Sequence, residues 1–152
     1  MIRDDIKAAL VTAMKSGDKA RTATLRLIQS SLKNRDIELR VAAEAPADDD
    51  VTVTEVLQKM VKQRRESVAL YEQGGRQELA DAETAEIEVV EGFLPRQMSE
   101  EETKAAIDAI VAETGASSLK DMGRVMAALK EKHAGGLDMS KASGLVKARL
   151  SA

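Results

Sequence analysis

Apolar residues in this chain recur three and four positions apart along its whole length and never alternate at period two for any stretch. An α-helix repeats every 3.6 residues and a half-buried strand every two, so the pattern demands helices and excludes a sheet. The opening stretch MIRDDIKAALVTAMKSGD sets Ile2, Ile6, Leu10 and Met14 four apart with charges between them, an amphipathic helix. It lacks the uninterrupted apolar core and cleavage site of a signal peptide. A second helix follows Gly17, with Leu25, Ile28, Leu32 and Leu39 turned inward. The segment AAEAPADDD, with Pro46 and three consecutive aspartates, breaks the pattern and reads as a solvated loop. Thr52 and Glu55 have the spacing of a capping box for a third helix, which Gly74-Gly75 ends. A fourth helix is expected from Arg76 to Phe93.

The sharpest boundary is LPRQMSEEE: Leu94-Pro95 stops one helix, and Ser99 with Glu102 caps the next. Gly115 and Gly135-Gly136 then divide the remainder into three short helices. The expected fold is all-α, an N-terminal helical domain (1–95) containing an antiparallel hairpin, then a small three-helix C-terminal module (96–152). No apolar run is long enough to cross a membrane. The absence of cysteine removes disulfides, thiol nucleophiles and zinc–thiolate sites, and a cytoplasmic protein is the reading that follows.

Helical periodicity and the glycine turn set the third and fourth helices against each other. At 100° per residue, Val53, Leu57, Met60, Val61, Val68 and Tyr71 form one stripe of the third helix, with Arg64 in its middle. On the fourth, the stripe is Leu79, Ala82, Val89, Val90 and Phe93, with Glu86 inside it. A hairpin turning at Gly74-Gly75 places Arg64 level with Glu86. An unpaired charge on an apolar face is costly, so the two are expected to form an ion pair that fixes hairpin register, with Glu83 as the fallback partner.

These segments also carry a family likeness. The run VKQRRESVALYEQGGRQELADAETAEIEVVEGFLPRQMSEEE resembles the YqeY family, whose pattern runs from VKQR-ES through Y-x-x-GGR to LPxQ[ML]S-E-E. Lys15-x-x-Asp18-x-x-Arg21-x-x-Thr24-Leu25-Arg26 and Lys120-Asp121-Met122-Gly123-Arg124-Val125-Met126 fit the same family. At Gly135-Gly136-Leu137-Asp138 the family commonly has a cation after the glycine, and this chain does not. The resemblance implies a two-domain helical protein whose C-terminal part is similar to the tail of the B subunit of glutamine-dependent aminoacyl-tRNA amidotransferase. In that enzyme the catalytic cradle lies elsewhere and the tail contacts tRNA. The resemblance therefore brings with it the description of a carbon–nitrogen ligase with glutamine as amide donor.

The residues themselves do not supply that chemistry. Amide release from glutamine needs an activated Cys or Ser, and phosphoryl activation needs a nucleotide cradle. There is no Cys, no P-loop and no dinucleotide fingerprint. His133, the single histidine, sits in KEKHAGG, where a cation suits a helix C-terminus. Asp48-Asp49-Asp50 and Glu100-Glu101-Glu102 read as loop and first-turn carboxylates, not as metal ligands. The expectation is no catalytic residue, no cofactor and no metal, hence no stand-alone enzyme.

Charge offers a different role. Residues 1–40 carry nine Lys/Arg against five Asp/Glu, residues 41–95 five against thirteen, and residues 117–152 seven against three. Lys120, Arg124, Lys130, Lys132, Lys141, Lys147 and Arg149 lie beside inward residues Leu119, Met122, Val125, Met126, Leu129, Leu145, Val146 and Leu150. Such cations can follow phosphates on a folded RNA, and with only Tyr71 and Phe93 aromatic, stacking on single strands is not expected. Gly123, in mid-helix, suggests close approach by another backbone. Arg26, Lys33 and Arg40 form a second basic stripe, seven apart. Two readings follow: a tRNA-binding accessory module, or a protein-interaction module using its polarised charge and exposed Met98 and Met139.

Overall fold

The computed structural model describes residues 1–43, 48–133 and 135–151. Among them are seven α-helices, one 3-10 turn and no strand, so the chain is all-α. The helices are α1 (Ile2–Ser16), α2 (Lys19–Val41), α3 (Asp49–Gln73), α4 (Gln77–Glu91), α5 (Glu100–Thr114), α6 (Met122–His133) and α7 (Met139–Ser151). The 3-10 turn, Leu119–Asp121, leads directly into α6. The chain divides into two compact units, Met1–Leu94 and Pro95–Ala152, each with its own buried cluster.

In the first unit Ile6, Leu25, Ile28, Val53, Leu57 and Val90 are fully or almost fully withdrawn from water. Burying an aliphatic side chain of this size contributes roughly 1.5–3 kcal/mol, and this apolar cluster is what holds α1 to α4 together. Helix ends are set by local chemistry. Asp18 caps α2 by accepting from the Arg21 amide, and Ser99 caps α5 by accepting from the Glu102 amide. At the end of α3 Gly75 adopts φ 71°, and the Arg76 amide donates to the Tyr71 carbonyl at 2.8 Å, closing a Schellman turn.

Several expectations need correction. Met14 is 53% exposed, and Ala13 takes its place in the core. Steps of four drift by about 40° each, so Met14 lies some 120° from Ile2 whereas Ala13 lies within about 20°. On α4, Ala80 and Ile87 are buried and Ala82 is exposed, because the buried side is centred on Ala80, Ile87 and Val90, more than 100° from Ala82. Thr52 and Glu55 are not a cap. The third helix begins three residues earlier, at Asp49, and Asp48 caps it by accepting from the Asp50 amide at 2.9 Å. Asp49 and Asp50 thus belong to a first turn, where the helix dipole favours them. The rest of the expected loop, residues 44–47, lies outside the described residues.

In the second unit Ile107, Ile110, Val125, Leu129, Ala142 and Val146 make the core. Leu119, expected inside, is 47% exposed because it belongs to the 3-10 turn and not to α6. A Cβ on Gly123 would meet nothing within 4 Å, so no backbone approaches it closely. Met98 and Met139 are half-buried against the core and are not exposed apolar handles.

Candidate nucleic-acid interface

The apolar stripe of α3 carries Arg64 into a half-buried position, where its Nε donates to Glu86 Oε2 at 2.9 Å. The side chains are 15% and 33% exposed, so the pair is only partly screened by water. Glu83, the fallback, makes no such bond: its Oε2 is buried and lacks a hydrogen-bond partner among the described residues. The next residue, Arg65, pairs with Glu91. The sequence KQRRES therefore supplies two ties between α3 and α4.

A second charged cluster escaped sequence reading. Arg3 donates to both carboxylate oxygens of Asp36 at 3.0 and 3.1 Å and to both of Asp49 at 3.1 and 2.9 Å. The Ile2 amide donates to Asp50 at 3.0 Å. One guanidinium fork thus ties the start of α1 to the end of α2 and the start of α3. Its hydrogen bonds hold the Asp49 carboxyl below its ordinary value of 3.8. Nothing in spacing along the chain signals a contact between residues 3, 36 and 49.

The seven C-terminal cations fall into two groups. Arg124 pairs with Asp121, Lys132 with Glu113 and Arg149 with Asp108. Lys120, Lys130, Lys141 and Lys147 are exposed and make no ion pair among the described residues. Lys141 edges a cleft of about 410 Å³ whose walls include Met98, Thr103, Gly144 and Leu145. Asp121 is occupied as well: it accepts from the Ser117 and Ser118 amides, which with nearby Arg124 lowers its pKa. Where the family pattern carries a cation after the first glycine this chain has Gly136; Leu137, which follows, is buried in the core, and Asp138 caps α7. His133 is the last residue of α6, and its carbonyl accepts from the Gly136 amide.

The LPRQMS segment has a structural task. Gln97 Nε2 donates to the Gly135 carbonyl at 2.7 Å, and the Met98 amide donates to the Gly136 carbonyl at 2.7 Å. The strand-like entry to α5 is thereby pinned to the turn before α7. Arg96 forks onto Glu102 at 3.1 and 2.7 Å, which lowers the Glu102 pKa. Among the described residues no group of three His, Cys, Asp or Glu is placed to hold a metal ion. No helix there is long and apolar enough to cross a membrane.

A family model described as Yqey-like protein matches residues 3–150. An uncharacterized protein of Schizosaccharomyces pombe is 30% identical over 94 residues, 62% of this chain and 72% of that protein. Altered inheritance of mitochondria protein 41, mitochondrial, from Lachancea thermotolerans is 28% identical over 90 residues, 59% of this chain and 46% of the relative. Its counterpart from Eremothecium gossypii is 29% identical over 110 residues, 71% of this chain and 58% of the relative. The matched stretches span about half the length of these two mitochondrial relatives.

Proposed function

The chain belongs to the YqeY family, and from that premise we propose that it is an accessory module that docks on structured RNA, tRNA in the first place, without chemistry of its own. The observation that carries this reading is the group of four exposed, unpaired lysines in the second unit: Lys120, Lys130, Lys141 and Lys147. A cation already neutralised by a neighbouring carboxylate has little to offer a phosphate, so Arg124, Lys132 and Arg149 contribute less. The resemblance of the C-terminal part to the amidotransferase B-subunit tail suggests the same choice of ligand, because that tail meets tRNA away from the catalytic cradle. No observation favours an amide-transfer site in this chain. The protein-interaction reading loses the methionines it rested on, since both pack on the core.

The place of action proposed is the cytoplasm. The mitochondrial location in the names of the yeast relatives is the competing one, and cell fractionation against a resident protein marker of each compartment separates them. The functional test is fluorescence anisotropy of the full chain against total tRNA, from about 50 to 200 mM salt. Binding should fall by orders of magnitude over that range. A Lys120→Gln/Lys130→Gln/Lys141→Gln/Lys147→Gln variant should flatten the plot of log K against log salt by about 3. Undiminished binding by this variant would remove the second unit as the docking surface.

A further inference from the structure

Many cations stand beside carboxylates: Arg3, Arg35, Arg64, Arg65, Arg76, Arg96, Lys104, Arg124, Lys132 and Arg149 each make an ion pair. In the first unit, as on the four open lysines of the second, one face of a helix carries cations outside these pairs. Because α2 begins at Lys19, the spacing of seven that links Arg26, Lys33 and Arg40 also takes in Lys19. Seven residues at 100° each return to within about 20°, so the four cations lie within some 60° of one another on the helix. They are spaced by about 10.5 Å and cover about 31 Å of helix axis. All four are exposed, and none makes an ion pair among the described residues.

The face between them is equally specific in what it lacks. Asp36 and Glu38, the acidic residues of α2, project about 70° and 130° from the stripe centre, and Asp36 is already held by Arg3. The small residues Ala23 and Ser30, both exposed, flank the stripe at about 70° and 50° from its centre, and Ile37 fills the gap between Lys33 and Arg40. The two small residues allow a chain of phosphates to lie close against the helix, with the Ser30 hydroxyl free to donate.

We propose that the outer face of α2 is a second phosphate-contact surface for structured RNA, carried by the first unit and built from Lys19, Arg26, Lys33 and Arg40. Its charge complements a polyanion, and its small flanking residues suit backbone contact and not base stacking. Ile37 is the one exposed large apolar side chain within the stripe, which is too little for the continuous apolar face of a membrane-surface helix. The inference rests on the RNA-docking reading for its class of ligand, but on different residues.

The test uses the full chain, total tRNA as probe, and an Arg26→Gln/Lys33→Gln/Arg40→Gln variant beside the four-lysine variant of the second unit. Far-UV circular dichroism checks the fold, and a matching set of Ala substitutions guards against a residue-specific loss of helix. The α2 variant should flatten the log K against log salt slope by about 2–3 and weaken binding at least tenfold at low salt. An unchanged slope would overturn the inference while leaving the second-unit reading intact. If the four-lysine variant binds normally and the α2 variant does not, the inference stands and the second-unit reading fails. If the unaltered chain binds no tRNA at about 50 mM salt, both fall. Binding instead to phosphatidylserine vesicles, lost in the α2 variant, would also overturn it, assigning the stripe to a lipid surface.

Discussion

Arg64 and Glu86 share a half-buried site, and each is the other's means of being there. Arg64→Ala leaves the carboxylate uncompensated and should cost about 1–3 kcal/mol in urea unfolding. The double substitution Arg64→Met/Glu86→Leu should restore most of that loss, because two apolar chains avoid the desolvation that the pair must overcome. Glu83 presents the reverse case: Glu83→Met removes a buried oxygen without a partner and should stabilise by about 1 kcal/mol in the same assay. The Arg3 fork gives a pH signature. Asp49 is held below its ordinary 3.8 in the folded chain, so its contribution is fully present above that value and disappears as pH falls through the lower folded value. The stability difference between the parent chain and Arg3→Met should therefore shrink below about pH 4. The Arg64–Glu86 pair was readable because a two-glycine turn fixes which residues are level. The Arg3 fork was not, because it joins three elements whose mutual placement no local spacing encodes.

Helix ends divide between positions that suit their backbone and one that does not. Gly75, at φ 71°, has open space where a Cβ would lie, so Gly75→Ala should cost about 1–2 kcal/mol through backbone strain alone. Ala43, beyond the end of α2, adopts φ 53° without being glycine. Ala43→Gly should stabilise by about 0.5–1 kcal/mol, measured as a rise in the urea midpoint at constant slope. The existence and order of the helices were legible from glycine pairs, Pro95 and the three-four spacing. Their faces are less legible: three steps of four carry Met14 to the solvent side, and the buried side of α4 is centred on Ala80, Ile87 and Val90, away from Ala82. The start of α3 was missed because two capping signals compete there, and Asp48 takes precedence over Thr52.

Each of the two units closes its own apolar cluster, and the only tyrosine and phenylalanine, Tyr71 and Phe93, both lie in the first. Tyrosine emission therefore reports the first unit, whereas the helical signal at 222 nm reports both. The second unit is small for an independent core, and it should open at lower denaturant. The helical transition should accordingly begin before the tyrosine transition, and coincident curves would show a single cooperative unit. By itself the amino-acid sequence determined that the chain is helical, where most helices stop, and that Arg64 meets Glu86, because periodicity, turn residues and hairpin register are properties of neighbours along the chain. Only the tertiary structure decided which cations are spent on carboxylates and which remain open, as on Lys130, Lys147 and the outer face of α2. Ion pairing depends on distances between elements, and those are set when apolar faces pack, not by any spacing along one helix.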